Sequence, residues 1–209
     1  MSGMTKSDQE LGRRERNKLE KQARIFDAAA ELFAEKGYSA VTTQEIADRA
    51  DVAGGTLFRY AASKAELLLM VYNAEYRKQI ELGEEREAKS TGTEDRVLEL
   101  VSPLLIASRR NDENTGIYQR EVLFGEPSEC FRAEGLELSQ RLQTRIAQIL
   151  LEGHPNHTTR TITAARTISN VLHFEIARAA LDRITADELT NIVAAQVRLT
   201  LAGLPTEKD

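Results

Sequence analysis

The stretch RIFDAAAELFAEKGYSAVTTQEIADRADVAGGTLFRYAASKAELLLM, residues 24–70, decides the fold. Thr42 and Glu45 stand at the spacing of a capping box just ahead of the apolar Ile46 and Ala47, so a short helix opens there and ends near Ala50. Asp51 follows where the chain must turn sharply, and aspartate is among the few non-glycine residues that accept a left-handed backbone. The next segment, Gly54 to Tyr60, is too short to be a stable helix alone in water; it has to be held by Val52 and Leu57 packing on Ile46, Ala47 and Ala50. Upstream, Ile25, Ala29, Leu32 and Phe33 fall at helical spacing and form the apolar stripe of a first helix, which Gly37 can close with a left-handed cap. Downstream, Ser63 and Glu66 make a second capping box, opening a helix through Leu67, Met70 and Val71. Two short helices joined by a tight turn and clasped by longer ones form the pattern of a helix-turn-helix, whose second helix is built to enter a DNA major groove.

Along these residues the chain resembles the TetR family of transcriptional regulators. The family pattern is present as Glu31-Leu32-Phe33-Ala34-Glu35-Lys36-Gly37-Tyr38, as Thr42 to Ala47, as Gly55-Thr56-Leu57-Phe58-Arg59, and as Lys64 at the start of the fourth helix. Beyond residue 70 the likeness is one of length and helical pattern only. The resemblance implies an all-α protein of about nine helices, with an N-terminal three-helix helix-turn-helix DNA-binding domain and a C-terminal helical ligand-binding and dimerisation domain. Residues 1–12 read as a disordered arm, 13–64 as the DNA-binding domain and 65–209 as the effector-binding and dimerisation domain. The implied function is that of a dimeric, ligand-responsive transcriptional regulator, foremost a repressor, that binds a pseudo-palindromic operator in double-stranded DNA and is released by a small molecule.

Several departures from the family pattern bear on how DNA would be read. Ala53 and Gly54 replace a capping serine and a polar residue at the start of the recognition helix, Phe58 replaces a tyrosine that donates to phosphate, and Ala61 and Ala62 replace an aromatic and a proline. That leaves Thr56, Arg59 and Tyr60 on the recognition helix, with Thr43 and Gln44 on the preceding one, as the polar groups able to reach DNA, and Phe58 is still expected among the DNA-binding residues. Arg59 is the preferred base reader, because its forked guanidinium can address guanine bidentately. Gly54 and Gly55 permit close backbone approach; a loosely ordered helix start is the alternative. Lys64 is expected to contact a phosphate, with a solvated surface lysine as the alternative.

Charge and composition fit this picture. The net charge of −5 is uneven: residues 1–64 hold 11 basic and 10 acidic side chains, and the remainder 17 and 23. Arg13, Arg14, Arg16, Lys18, Lys21 and Arg24 crowd the approach to the first helix, a density suited to phosphates or a minor groove, although a charge-laced solvated helix carries the same residues. Tryptophan is absent and alanine and leucine are plentiful, which favours helices over strands. No apolar run has the length of a membrane span and no signal peptide opens the chain, so a cytoplasmic protein is expected. Cys130, the single cysteine, excludes an intrachain disulfide. No nucleophile–base pair, paired carboxylates or nucleotide loop points to an enzyme, no cofactor is implied, and His154 and His157 in a loop do not amount to a metal site.

The C-terminal part predicts helices over about 94–109 with a kink at Pro103, over about 114–124, and from beyond Pro127 to about Glu152, the last with Leu136, Leu142, Ile146, Ile149 and Leu150 buried. An eighth helix spans Thr159 to Asp182, and a third capping box, Thr185 with Glu188, opens a ninth that Gly203 closes. Ile162, Ile168, Leu172 and Ile176 line one side of the eighth helix, and Leu189, Ile192, Val193, Gln196, Val197 and Thr200 one side of the ninth. The resemblance implies that these helices pair with their twofold mates in a homodimer, although either stripe can equally be core. It also implies a pocket for a small-molecule effector of unknown identity within the middle helices. Leu104, Tyr118, Arg120, Phe124, Phe131 and His173 are its candidates by position, against the alternatives of plain core and of an ion pair for Arg120. A helical protein-interaction module without sequence-specific DNA binding is the competing function, and the missing cap at Ala53 favours it.

Overall fold

The structure, a computed structural model, describes the backbone of residues 6–204 and the side chains of residues 15–204. The described residues form nine helices: α1 (Lys6–Ala40), α2 (Thr43–Arg49), α3 (Gly54–Leu57), α4 (Lys64–Glu87), α5 (Thr93–Ser108), α6 (Asp112–Phe124), α7 (Cys130–Gly153), α8 (Thr158–Asp182) and α9 (Ala186–Ala202). The chain divides into two compact units, Met1–Val71 and Tyr72–Asp209, so the division falls inside α4 rather than ahead of it. α1 already runs from Lys6, and the described part of the expected arm, residues 6–12, is therefore helical; residues 1–5 lie outside the description.

In the first unit the local signals act as the sequence predicts. Gly37, at φ 75°, interrupts the helical backbone of α1. Thr42 and Glu45 form a reciprocal capping box, the Glu45 amide donating to Thr42 Oγ1 at 3.2 Å and the Thr42 amide to the Glu45 carboxylate at 2.8 Å. Asp51 turns the chain at φ 52°, after which the Val52 amide donates back to the Ala47 carbonyl at 3.0 Å. Ile25, Leu32, Phe33, Ile46, Leu57 and Leu67 are all at most 2% exposed, so the short α3 is held by its tertiary seat. Removing the Leu57 side chain should cost about 2–5 kcal/mol.

In the second unit α8 is the central helix, touching α5, α6, α7 and α9. Small residues admit these neighbours: Ala164, Ala165 and Ala179 are buried between Ile168, Leu172 and Ile176. α4 and α5 cross at Gly83, where a Cβ would stand 2.1 Å from the Leu100 carbonyl oxygen. α5 continues through Pro103, and the Glu99 carbonyl deprived of its helical partner accepts instead from the Ser102 hydroxyl at 3.5 Å. It opens on Gly92 (φ 88°), with Thr93 inside the helix. α6 begins two residues earlier than predicted because the Asn111 side chain caps it, accepting from the Asn114 amide at 3.0 Å. On α7 the buried stripe includes Gly135 and Leu138, whereas Leu136, predicted inside, is 40% exposed; one position of helical phase separates the two faces.

Candidate functional site

The first unit presents α2 and α3 as a pair. α2 is anchored by ion pairs to α1, Lys36 to Glu45 at 2.8 Å and Arg49 to Glu31 at 3.0 Å. The Lys36 ammonium, together with the Thr42 amide and hydroxyl, holds the Glu45 carboxyl at a pKa of about 2, so the capping box stays ionised across the physiological range. Thr43 is half-buried on α2 and Gln44 exposed; the Gln44 amide donates to Asp48 at 2.7 Å, and its Oε1 lies over Gly54. The regular turn of the recognition element is shorter than predicted. α3 closes at Leu57, with no side-chain cap from Ala53, and residues 58–60 continue as turns in which the Arg59 and Tyr60 amides reach the Thr56 and Leu57 carbonyls. A missing cap and two consecutive glycines explain the short helix.

Along this element the side chains have separate environments. Phe58 is 51% exposed and Arg59 is exposed and unpaired among the described residues, while Leu57 between Thr56 and Phe58 is fully buried. Thr56 is half-buried, Gly54 half-buried and Gly55 exposed with open space around its Cα. The Tyr60 hydroxyl turns inward, donating to the Lys18 carbonyl at 3.4 Å.

Lys64, expected to contact a phosphate, is engaged within the first unit. Its ammonium donates to the Tyr38 carbonyl at 2.9 Å and the Val41 carbonyl at 2.8 Å, and lies 4.2 Å from the centroid of the Tyr38 ring. Tyr38 lies in the last turn of α1 and Val41 just beyond it, so Lys64 ties down the end of that helix. Among the basic residues upstream, Arg16 and Lys18 lie in exposed pairs with Glu20 and Glu15 at 3.9 and 3.8 Å, and Arg24 pairs with Asp51 at 3.1 Å. The side chains of Arg13 and Arg14 lie outside the described residues.

The second unit contains a small, partly open cavity of about 40 Å³ between α4, α5, α6 and α8. Of the effector-pocket candidates Leu104 and Tyr118 line it, and so do Tyr72, Glu75, Tyr76 and Gln79 of α4, which sequence reasoning missed although they recur at helical spacing along YNAEYRKQ. His173 stands behind two lining residues: its Nδ1 donates to Gln119 Oε1 at 3.0 Å and its ring stacks on Tyr76 with centroids 6.3 Å apart. Burial lowers its pKa to about 4, so the imidazole is neutral, and its Nε2 has no partner among the described residues. Burial likewise raises the Tyr118 phenol well above its usual range. Tyr118 donates to Asn73 Oδ1 at 3.0 Å, and the Asn73 amide donates to the Phe131 carbonyl at 2.7 Å and to Glu134 at 3.0 Å, tying α4 to α6 and α7. Phe131 thus joins this network through its backbone. Arg120 and Phe124, predicted in the pocket, lie instead on an open groove between α6 and α8; Arg120 pairs with Glu121 at 2.5 Å and Phe124 is 82% exposed, because the last turn of α6 points its apolar end outward.

The stripes predicted at a dimer interface are mostly core. Ile168, Leu172 and Ile176 of α8 and Leu189, Val193 and Val197 of α9 are each at most 1% exposed within the single chain. Ile192, Gln196 and Thr200 are half-buried, with Gln196 donating to Glu175 at 2.9 Å, and Ile162 is exposed in a groove against α7. The most exposed large apolar residues of these two helices are Phe174 and Leu181 on α8 and Leu199 on α9. His154 and His157 occupy the α7–α8 turn, with no third metal-ligating side chain gathered beside them among the described residues. No helix among the described residues is long and apolar enough to cross a membrane.

Comparison with known proteins agrees with this arrangement. The model of the tetR family of bacterial regulatory proteins matches residues 25–71, the helix-turn-helix and its flanks. The HTH-type transcriptional repressor KstR of Mycolicibacterium smegmatis is 31% identical over 199 residues, covering 93% of each chain. Among solved structures, a TetR transcriptional regulator from Rhodococcus sp. RHA1 superposes with a TM-score of 0.71 at 19% identity, over 91% of this chain and 100% of that one. The Thermus thermophilus repressor FadR, solved in complex with lauroyl-CoA, superposes with a TM-score of 0.69 at 23% identity, over 90% and 97% of the two chains. The family pattern on the helix-turn-helix and a repressor similar along nearly the full length lead to one assignment: the chain belongs to the TetR family of bacterial transcriptional regulators.

Proposed function

We propose that two copies of this chain bind a pseudo-palindromic operator in the cytoplasm and release it when a small molecule enters the cavity of the second unit. The observation that carries the DNA contact is the exposed Arg59, without a partner among the described residues, on a recognition element whose other polar groups are partly engaged. Arg59 reads guanine in each half-site, Thr56, Thr43 and Gln44 add weaker contacts, and Gly54 and Gly55 let the backbone come close. Arg13, Arg14 and Arg16 supply salt-dependent attraction to phosphates. A short element touches few bases, so two half-sites are required for useful affinity.

The effector reading rests on size and on neighbours. A cavity of about 40 Å³ holds a few waters, while sites for small molecules start at about 300 Å³, so a ligand must displace the lining. Four of the lining residues, Tyr72, Glu75, Tyr76 and Gln79, sit on α4, the helix that begins at Lys64 in the DNA-reading unit. A ligand that binds the displaced arrangement more tightly than the closed one biases α4, and with it the spacing of the recognition elements. The lauroyl-CoA held by the Thermus neighbour makes a fatty acyl-CoA the first effector to try.

The test is titration of labelled duplex from the gene's own upstream region, at several salt concentrations and with lauroyl-CoA added. Salt-sensitive binding that weakens about 5- to 150-fold in Arg59→Ala is expected, the equivalent of about 1–3 kcal/mol. Binding that ignores both salt and Arg59 would favour the protein-interaction module instead. Protein stabilised by lauroyl-CoA that never lets go of DNA would sink the coupling.

A further inference from the structure

Phe58 has no structural reason to be where it is. Its predecessor Leu57 is fully buried, whereas half of the Phe58 surface faces water, and Arg59, next in the chain, is exposed as well. The positions three and four residues before it, Gly55 and Gly54, bear no side chain. Neither glycine has a positive φ, and a Cβ on Gly55 would meet nothing within 4 Å, so the free protein does not require glycine at Gly55. An exposed ring thus follows two positions without side chains and directly precedes a guanidinium that has no partner among the described residues.

A phenyl ring has no donor or acceptor with which to read the hydrogen-bonding edge of a base or to hold a phosphate oxygen. The apolar group that a major groove offers is the C5-methyl of thymine. We propose that Phe58 is a specificity-determining residue that seats against a thymine methyl in the same half-site as the guanine read by Arg59, the bare glycines letting the element sink far enough for the contact. The inference rests on the DNA-reading function proposed above. It assigns Phe58 a part in base discrimination, and it predicts that the half-site distinguishes thymine from uracil, which differ by that methyl alone.

The experiment begins by selecting duplexes from a randomised library with the full-length protein. Each thymidine of the enriched sequence is then replaced in turn by deoxyuridine. Wild type should lose about fourfold in affinity per half-site at one position, the effect of withdrawing one buried methyl. Phe58→Ala should bind more weakly overall and be indifferent to deoxyuridine at that position, while Phe58→Tyr, which keeps the ring, should remain sensitive. Circular dichroism and melting curves of both variants should match wild type, since the ring contributes little to the core. Wild type that tolerates deoxyuridine everywhere, or Phe58→Ala that keeps the full sensitivity, overturns the thymine contact and leaves DNA reading by Arg59 standing. A selection that enriches nothing overturns the DNA-reading function and this contact with it.

Discussion

Two of the three protons on the Lys64 ammonium go to the carbonyls of Tyr38 and Val41, and the charge lies against the Tyr38 ring. A lysine at the start of a helix next to a DNA-reading element suggests a phosphate contact, and the sequence holds no sign of the alternative. The carbonyls it reaches are 26 and 23 residues away, at the end of α1 that follows the Gly37 break. Hydrogen bonds from a charged donor contribute about 1.5–3 kcal/mol each way they are tested, so Lys64→Met, which keeps the stem and deletes the ammonium, should destabilise the protein by about 2 kcal/mol. Urea unfolding measures it; an unchanged midpoint would return Lys64 to the list of free surface cations. The capping residues, by contrast, were legible, because Thr42 with Glu45 and Thr185 with Glu188 act over three residues and need no tertiary partner.

At the scale of elements, glycines that look alike in the sequence have opposite roles. Gly55 faces open space, but Gly83 lets α4 and α5 meet backbone to backbone, and Gly135 leaves room on α7 for Val122 and for the buried Asn73–Tyr118 pair. Gly83→Ala would drive its methyl to 2.1 Å from the Leu100 carbonyl oxygen, a backbone atom that cannot rotate aside. The helices must part, and overpacking of this kind costs about 1–3 kcal/mol, with the upper end expected here. Gly55→Ala should instead gain up to about 1 kcal/mol, since helix formation then fixes a less flexible residue. Thermal melts of the two variants should move in opposite directions from wild type. The existence and order of the helices were readable from periodicity and caps, but their crossings were not, because a close approach is a property of two segments and each carries only half of it. The α4 lining of the cavity escaped for the same reason: Tyr72 and Tyr76 declare a helix face, and only the packing of α5, α6 and α8 shows what that face encloses.

For the whole molecule, the ambiguity lies in α8, which is apolar on two sides. Ile168, Leu172 and Ile176 make the stronger stripe by composition, and that strength is why they are core: the central helix of the second unit needs its bulkiest aliphatics inward. What is left to meet a twofold mate is the outer side, where Phe174, Leu181 and Leu199 are 66%, 81% and 77% exposed. Apolar groups of that size on adjacent helices are unusual on a surface that stays in water. Phe174→Glu combined with Leu181→Glu should therefore give a monomer by sedimentation, with helical content unchanged, because neither side chain supports the fold of its own chain. Leu172→Glu, one face inward, should fail to fold at all. With the two half-sites no longer linked, the monomer should bind a palindromic duplex about 10²- to 10⁴-fold more weakly while keeping its preference for the same half-site. A double variant that sediments as a dimer places the twofold contact elsewhere on the second unit.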